Sequence, residues 1–421
     1  MRVYIESYGC AMNIADGHLM AELLARAGHT IVGRPEDADV IVLNTCTVRT
    51  DTERRMVRRL RELMRYGKKL VVAGCLPAAQ PGVIYKISRE VSMISARAVE
   101  AICEVVEAKE PIYILDSRPR QCLPRLVNGV VITIPIAEGC LGSCAYCIVR
   151  VARGPLRSYR PEAIVRAVEE AVRRGAREVR LTAQDTGAYG LDIGTNLAEL
   201  LRSVCAIKGE FMVRVGMMNP NAALAILDEL LDAYEDPKIY KFLHLPVQTG
   251  DDGLLKAMRR KYTVSDFLEV VEAFRKRFPD LSLATDIMVG LPGEDEEAFK
   301  RTLALIERAR PDKVHVARFT PRPHTKAASM PGQVPEPEKK RRSRLVSSLA
   351  LRIGLERNLR FVGRTLRCLV VGFGRGEGQL EARTMSYRPV YIVGPKELLG
   401  SFVEAEVVSA GPYYLMGQLL S

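Results

Sequence analysis

EGCLGSCAYC, residues Glu138 to Cys147, is the stretch that decides the fold of this 421-residue chain. Its cysteines, at positions 140, 144 and 147, stand four and three residues apart among glycines that let the backbone turn tightly. Thiolates suit zinc, copper(I) and iron–sulfur clusters. A structural zinc ion takes four protein ligands, whereas the next cysteine along the chain is Cys205. The loop therefore indicates a four-iron cluster with one open iron, against the alternatives of packed cysteines or a zinc-only site.

This loop resembles the signature of the radical S-adenosylmethionine (AdoMet) superfamily. That signature is Cys-x3-Cys-x2-Cys with an aromatic residue, here Tyr146, before the last cysteine. The resemblance implies that the open iron binds the amino and carboxylate groups of AdoMet. It also implies that the reduced cluster cleaves AdoMet to a 5′-deoxyadenosyl radical.

Three further cysteines follow predicted strands near the N-terminus. The strands, at 3–5, 40–43 and 70–73, are apolar runs with helical periodicity between them. They lead into Cys10, Cys46 and Cys75. This alternation predicts a doubly wound parallel sheet over residues 1–125, with helices on both faces. Because the carboxyl ends of parallel strands share one edge, we expect these thiols to meet and hold a second open cluster; buried structural cysteines are the alternative.

A second α/β region follows a linker predicted at residues 119–129. Six strand–helix units fill residues 130–336. Six units are too few for a closed eight-stranded barrel, so they predict a partial (β/α)6 barrel that is open on one side. The cysteine loop follows the first of these strands. We therefore expect the functional site at the carboxyl ends of the barrel strands.

The C-terminal part changes character. A basic helix is predicted at 337–358, and four short strands with glycine turns at 359–421 predict a small antiparallel β-barrel. From Lys339 to Arg367 the chain has ten Lys or Arg and one acid, and its formal net charge is +12. This excess predicts a polyanionic partner that the helix binds through Arg341, Arg342 and Arg344, with solvated helix faces as the alternative.

Composition argues against several classes of protein. No apolar run approaches the ~18 residues of a membrane span, and the N-terminus lacks the layout of a signal peptide. We therefore expect a cytoplasmic protein with no membrane partner. Ten cysteines in a chain of this length do not make a disulfide-dense secreted domain. Those that follow no pattern are interpreted as packing residues: Cys103, Cys122, Cys205 and Cys368.

Nearly the whole chain resembles the methylthiotransferases. These have an N-terminal domain with three cluster cysteines, a radical AdoMet partial barrel and an RNA-binding TRAM barrel. Besides the cysteine loop, the matching segments are SYGCAMN from Ser7, NTCTV from Asn44, GC from Gly74, ARG from Ala152, HLPVQTG from His244 and TDIMVGLPGE from Thr285.

Two more segments resemble the archaeal and eukaryotic branch of that family, which modifies N6-threonylcarbamoyladenosine at tRNA position 37. They are LTAQDTGAYGLD from Leu181 and GMMNP from Gly216. Two positions depart from the family pattern. His324 stands where glycine is usual, and Thr249-Gly-Asp replaces the commoner Ser-Gly-Ser.

The resemblance implies a transferase that forms the 2-methylthio derivative of this nucleoside with two [4Fe-4S] clusters and AdoMet. The implied cluster ligands are Cys10, Cys46 and Cys75 for the sulfur-holding cluster and Cys140, Cys144 and Cys147 for the radical-generating one. Gln184, Arg214 and Gln248, at or near the ends of strands two to four, would contact AdoMet, whereas Asp286 is interpreted as structural. Implied partners are the tRNA anticodon stem-loop and an electron donor such as a flavodoxin or ferredoxin.

Other interpretations stay open at this point. Two of them keep the chemistry but move the target, to isopentenyl-adenosine in tRNA or to an aspartate of a ribosomal protein. One from another class is a non-catalytic, cluster-bearing RNA-binding protein. The sequence does not reveal which tRNAs are used, the source of the inserted sulfur, the oligomeric state or the role of His324.

Overall fold

The computed structural model describes residues 1–118, 120, 122–125 and 129–420. Within the predicted linker, residues 119, 121 and 126–128 lie outside the described part, as does residue 421 of the predicted C-terminal domain. In the described part, no helix has the length and apolar character needed to cross a lipid bilayer.

The N-terminal region is a six-stranded parallel sheet in the order β2-β1-β3-β4-β5-β6. Its strands are β1 (Arg2–Ser7), β2 (Thr30–Val32), β3 (Val40–Thr45), β4 (Lys69–Gly74), β5 (Ser92–Ser95) and β6 (Tyr113–Ile114). Its helices are α1 (Ala11–Arg26), α2 (Thr50–Met64), α3 (Cys75–Ala79), α4 (Pro81–Tyr85) and α5 (Ile102–Glu107). Val40 and Val42 of β3 pack with α1 and α5, whereas Ile41 and Leu43 pack with α2. Successive residues thus bury on opposite faces, which confirms the doubly wound prediction.

The central region contains the six parallel strands that the sequence predicts for a partial barrel. Its strands are β7 (Val131–Pro135), β8 (Ala137–Glu138), β9 (Arg157–Ser158), β10 (Glu178–Thr182), β11 (Met212–Val215), β12 (Phe242–His244), β13 (Ser282–Val289) and β14 (Lys313–Arg318). Two three-stranded sheets, β11-β10-β7 and β12-β13-β14, are joined by a parallel bridge between Val213 and Ile239. The short β8 and β9 pair antiparallel at the base of the cysteine loop.

Helices cover the outside of this barrel. They are α6 (Val149–Arg153), α7 (Pro161–Arg173), α8 (Leu197–Cys205), α9 (Pro220–Leu224), α10 (Leu227–Ala233), α11 (Asp252–Ala257), α12 (Val264–Arg277) and α13 (Glu296–Ala309). The sequence predicts one helix at 222–234, where the structure has the two helices α9 and α10. Along the strands, Val179, Leu181, Val213 and Val215 belong to the large core that these helices close.

A long helix and a closed β-barrel complete the chain. The helix is α14 (Glu336–Leu359), and the strands are β15 (Thr365–Phe373), β16 (Gln379–Thr384), β17 (Pro389–Val393), β18 (Phe402–Ala410) and β19 (Leu415–Leu419). The barrel order is β15-β16-β17-β19-β18, so β19 is a strand that the sequence prediction missed. Met212 and Tyr240 pack on Leu369, and the amide of Lys241 donates to the carbonyl of Met385 at 2.8 Å. The C-terminal barrel therefore covers the amino ends of the central strands, opposite the cysteine loop.

Candidate functional site

The backbone turn of the cysteine loop requires glycine at position 139, because a side chain there would clash. Gly139 has φ +68°, and a Cβ added there would lie 1.9 Å from the carbonyl oxygen of Pro155. The amide of the next residue, Cys140, donates to the carbonyl of Gly154 at 3.2 Å. Left-handed backbone and close approach both require glycine here. This glycine is what lets the loop fold back against the chain that follows α6.

The three thiols of this loop lie together. The amide of Gly142 donates to Cys140 Sγ at 3.2 Å, and the amide of Cys147 donates to the carbonyl of Cys144 at 3.1 Å. Burial raises the pKa of Cys147 to about 11, and the neighbouring Cys144 thiol adds to this rise. Burial also raises the pKa of Cys140. The loop thus gathers its thiols just beyond the carboxyl end of β7.

The N-terminal cysteines also meet, as the parallel sheet predicts. A Cβ added at Gly9, which has φ +116°, would lie 2.8 Å from Cys46 Cβ. Cys75 Sγ lies 3.5 Å from Asn13 Oδ1. Burial raises the pKa of Cys75 to about 12, and the nearby Cys10 and Cys46 thiols push it in the same direction. Three strand ends therefore bring three thiols to one edge of the sheet.

Neither set of cysteines is arranged around a single metal ion. Among the described residues, the group of three ligand atoms placed for one ion is His244, Asp286 and His315, whose atoms lie within 4.8 Å of one another. A zinc ion holds its thiolates at about 2.3 Å and so draws them close together. A four-iron cluster spaces its cysteine ligands more widely. Among the described residues, neither set of cysteines therefore forms a preorganised site for one metal ion.

A buried network of charges connects the two sets of cysteines. Arg153 Nη2, in the helix that follows Cys147, donates to Asp16 Oδ2 and to Asn13 Oδ1, each at 2.6 Å. Arg120 Nη1 donates to the other oxygen of Asp16 at 2.7 Å and also to Glu138. All of these side chains except Asn13 carry charge, and all are buried. The network fixes the helix that follows Cys10 against both ends of the cysteine loop.

Apolar packing joins the same elements. Cys75 and Ala79 of α3 form one buried cluster with Ile148 and Ala152, which flank the start of α6. The helix that starts at one set of cysteines therefore packs directly on the helix that follows the other.

A third connection runs from the end of the barrel to the N-terminal sheet. Arg322 is 4% exposed and donates to Thr47 Oγ1 at 3.0 Å and to Glu53. Thr47 directly follows Cys46. Nearby, His324 is exposed with φ +62°, a conformation that glycine adopts freely. This backbone geometry accounts for the glycine that is usual at this position of the resembled family.

Two of the residues predicted to contact AdoMet lie at the carboxyl rim of the central barrel. Gln184 follows β10, and its Oε1 is buried without a hydrogen-bond partner among the described residues. Gln248 has φ +74°, and its amide donates to the carbonyl of Asp286 at 2.8 Å. A buried acceptor without a partner costs free energy unless something donates to it. This rim therefore fits a ligand with hydrogen-bond donors, such as an amino or ribose group.

The third such residue, Arg214, lies elsewhere. Its guanidinium carbon is 5.1 Å from the ring centroid of Phe242 and 5.8 Å from that of Tyr387. Phe242 is the first residue of β12, and Tyr387 belongs to the C-terminal barrel. Arg214 therefore points toward the covered end of the central barrel. The structure does not bring it together with Gln184 and Gln248 at the rim.

Sequence reasoning missed a polar set beside the cysteine loop. Asn219 Nδ2 donates to Asp185 Oδ2 at 2.6 Å, and Arg260 Nη1 donates to Asn219 Oδ1 at 2.9 Å. The Arg260 guanidinium lies 5.5 Å from the ring centroid of Tyr146, and burial raises the pKa of Asp185. Asp185 and Asn219 lie in the two branch-specific segments, which was the available signal, whereas no motif marks Arg260.

Deeper in the barrel, neighbouring strands place His244, Asp286 and His315 side by side. His244 Nε2 and Asp286 Oδ1 are 3.1 Å apart, and the rings of His244 and His315 have centroids 5.4 Å apart. Burial lowers the pKa of His315 to about 4. Asp286, interpreted from the sequence as structural, thus has a side-chain partner inside the barrel.

The charge of α14 is mostly neutralised by acids of the central barrel. Arg342 is 5% exposed and pairs with Glu294 at 2.7 Å, and Arg341 pairs with Glu296 at 2.6 Å. Arg344 is exposed and has no ion-pair partner in the described part of the chain. Arg342 is therefore buried away from any RNA, whereas RNA binding by the exposed Arg341 and Arg344 stays a prediction. A count of charges along one segment does not reveal the acids that the fold sets against it.

Three families match consecutive parts of the chain. Residues 2–96 match the Uncharacterized protein family UPF0004, residues 134–306 match the Radical SAM superfamily, and residues 359–420 match the TRAM domain.

Curated relatives match over the full length. A Pyrococcus horikoshii protein named probable threonylcarbamoyladenosine tRNA methylthiotransferase is 48% identical to this chain, over 100% of both chains. An Archaeoglobus fulgidus protein of the same name is 45% identical to this chain, over 100% of this chain and 99% of its own length. A Danio rerio protein named threonylcarbamoyladenosine tRNA methylthiotransferase is 36% identical over 100% of this chain and 78% of its own.

Two solved structures share the overall fold. The radical S-adenosylmethionine methyltransferase TsrM from Kitasatospora setae, with cobalamin and a [4Fe-4S] cluster bound, superimposes with a TM-score of 0.58 at 13% identity, over 78% of this chain and 77% of that one. The cobalamin-dependent S-adenosylmethionine radical enzyme OxsB, with aqua-cobalamin and S-adenosylmethionine bound, gives a TM-score of 0.54 at 10% identity, over 83% and 56%. At such identities the likeness shows the fold alone.

Proposed function

The chain belongs to the family of threonylcarbamoyladenosine tRNA methylthiotransferases, and on that premise we propose that it converts N6-threonylcarbamoyladenosine at tRNA position 37 to its 2-methylthio derivative. One observation carries the proposal. Two sets of three cysteines each come together, and they lie on elements that pack directly on each other. Radical generation needs one cluster, whereas insertion of sulfur needs a second site where sulfur is held.

The cofactors of this transferase are two [4Fe-4S] clusters and AdoMet. We assign the sulfur-holding cluster to Cys10, Cys46 and Cys75, and the radical-generating cluster to Cys140, Cys144 and Cys147. Gln184 and Gln248 are assigned to AdoMet, because Gln184 presents a buried acceptor without a partner among the described residues and Gln248 follows β12 at the same rim. When bound, these groups supply a carbon radical, a methyl group and a sulfur site.

The contribution of the protein is to hold these sites in place. Arg153, Arg120 and Asp16 fix the two cysteine-bearing regions relative to each other. The charge of Arg153 also lies near the Cys75 thiol and opposes the rise that burial gives to the pKa of Cys75. The pair of Asp185 and Asn219, with Arg260, holds the rim against Tyr146. Asp185 is the buried member of this set.

The C-terminal barrel supports binding of an anticodon stem-loop. Phe373, at the end of β15, is 60% exposed, and Arg375 follows it in the turn before β16. Exposed aromatic rings stack on unpaired bases, and arginine binds phosphate. We assign the first RNA contacts to this turn. A flavodoxin or ferredoxin fits the need for a single low-potential electron, and a tRNA substrate points to the cytoplasm.

Mass spectrometry of tRNA nucleosides tests the function directly. Cells that lack the gene should lose the 2-methylthio mark on N6-threonylcarbamoyladenosine, and the wild-type gene should restore it. A mark lost instead from isopentenyl-adenosine or from a ribosomal-protein aspartate would move the target. Anaerobic reconstitution with AdoMet and reductant tests catalysis itself, because a non-catalytic RNA-binding protein forms no 5′-deoxyadenosine.

A further inference from the structure

The inside of the central barrel carries positive charge at the level below the rim. Side chains alternate along a strand, so the neighbours of the core residues Val179, Leu181, Val213 and Val215 point inward. On β10 and β11 these neighbours include Arg180 and Arg214, which are register partners. On β14 the inward residues include Lys313 and His315.

Arg214 has no carboxylate partner in the described part of the chain. Its Nε is buried and has no hydrogen-bond acceptor there. Its guanidinium instead lies over the rings of Phe242 and Tyr387, and burial lowers its pKa. Aromatic faces compensate a buried cation only in part, and a buried charge without an ionic partner is costly.

Several other buried arginines of this chain have carboxylate partners, whereas Arg260 and Arg275 have none among the described residues and instead donate to Asn219 Oδ1 and to backbone carbonyls. Arg120 and Arg153 share Asp16, Arg342 pairs with Glu294, and Arg388 pairs with Asp312. Arg180, directly beside Arg214, pairs with Glu178 at 2.5 Å. Arg214 thus differs from its neighbour and from the buried arginines that stabilise the fold.

Lys313 adds to the same region. Its Nζ has no carboxylate partner among the described residues and lies 5.9 Å from the ring centroid of Tyr413. Burial lowers its pKa, and the charges of Arg383 and Arg214 act in the same direction. Arg383 pairs with Glu381 at 2.5 Å, whereas Arg214 and Lys313 stay uncompensated. Lys313 is exposed in this structure, so an anion that enters the barrel would relieve the burial of Arg214 and the repulsion between the two cations.

We propose that Arg214, together with Lys313, binds the carboxylate of the threonylcarbamoyl group of the substrate nucleoside and so sets the specificity of the enzyme. This inference rests on the proposed function. The level above, with His244, Asp286 and Gln248, offers donors and acceptors for the ureido and hydroxyl groups of that substituent. An isopentenyl group has no polar atom to pair with these residues, so it would leave them unsatisfied. The carboxylate of AdoMet is the other anion that fits Arg214 and Lys313.

The test compares ligands that differ only in this charge. Anticodon stem-loops carrying threonylcarbamoyladenosine, or its carboxyl methyl ester, are titrated against the reconstituted full-length enzyme, and equilibrium binding is measured. A charge-assisted hydrogen bond corresponds to roughly 10- to 100-fold in affinity, and we expect the wild type to prefer the acid by this factor. Arg214→Met should remove the preference, Lys313→Met should reduce it, and Arg214→Lys should restore part of it. Arg173→Met, on the exposed face of α7, is the matched control and should keep it.

Equal binding of acid and ester by the wild type overturns the inference. This comparison uses only the wild-type protein and so does not depend on the folding of a variant. Weaker AdoMet binding by Arg214→Met, with the preference for the acid intact, also overturns it and assigns Arg214 to the cofactor. Failure of the proposed function gives a different result. In that case the wild type leaves threonylcarbamoyladenosine without a methylthio group, whatever the affinities.

Discussion

Arg153 Nη2 lies 2.6 Å from Asp16 Oδ2, and this buried pair joins the helix that follows Cys147 to the helix that begins after Cys10. The two sets of cysteines are therefore positioned by one ion pair as well as by apolar packing. Arg120 contacts the other oxygen of Asp16, so the carboxylate is shared by two guanidinium groups. Removing one partner of such a buried pair costs about 3–5 kcal/mol.

We predict that Arg153→Met destabilises the protein by about 3 kcal/mol or more, because it leaves Asp16 buried with half of its compensation. Thermal or denaturant unfolding of the purified protein measures this loss. Arg2→Met is the control, since the pair of Arg2 with Asp39 is exposed and should contribute little. Equal destabilisation by the two substitutions would show that the buried pair does not hold the two regions together.

Gly139→Ala should remove the radical-generating cluster and leave the other in place. A left-handed φ costs an alanine about 1–2 kcal/mol, and at Gly139 the new Cβ would also lie 1.9 Å from the carbonyl oxygen of Pro155. Gly67→Ala is the matched control, because Gly67 has φ +61° with nothing within 4 Å of the added Cβ. The expected readout is loss of 5′-deoxyadenosine formation in the first variant alone. Full activity of Gly139→Ala contradicts the assigned role.

Charge reversals on α14 should separate a structural arginine from an RNA-binding one. Arg342→Glu places an acid against Glu294 and Glu338 and is expected to lower stability. Arg344→Glu changes an exposed charge and should weaken tRNA binding most at low salt. Binding measured at several salt concentrations, beside unfolding curves, distinguishes the two effects. Unchanged, salt-independent binding by Arg344→Glu would exclude this helix from the RNA interface.

The His315 side chain should make the protein less stable in mild acid. Its pKa falls from 6.5 to about 4 through burial, so the folded state binds fewer protons than the unfolded state between these values. The stability it contributes is present above pH 6.5 and is lost as the pH falls toward 4. His315→Asn should therefore flatten the dependence of unfolding free energy on pH in this window. An unaltered slope in the variant counts against a His315 that stays neutral in the folded protein.

The sequence was sufficient for the architecture and for the meeting of the cysteines. Apolar strands that end in Cys10, Cys46 and Cys75 imply convergence, because parallel strands must share an edge. The sequence prediction was least reliable for short strands. β5 and β6 have four and two residues, too few for a periodic pattern, and β19 contains Gly417, which weakens the strand signal.

Contacts between distant segments could not be read from the sequence. Arg322 pairs with Glu53, 269 positions away in the sequence, and Arg153 pairs with Asp16, 137 positions away. The local sequence around either arginine does not predict its partner. The same limit explains why the burial of Arg342 was not predicted, because it pairs with Glu294 in the turn before α13. Arg214 illustrates the limit most clearly. Its place on the third barrel strand was predictable, but its contacts with Phe242 of β12 and with Tyr387 of the C-terminal domain were not.

Iron and sulfide content per chain, measured after anaerobic reconstitution, tests the central claim that two separate cluster sites lie side by side. The account predicts about eight irons in the wild type and about four when either set, Cys10, Cys46 and Cys75 or Cys140, Cys144 and Cys147, is replaced by serine. About four irons in the wild type, unchanged when the first set is replaced, would contradict it.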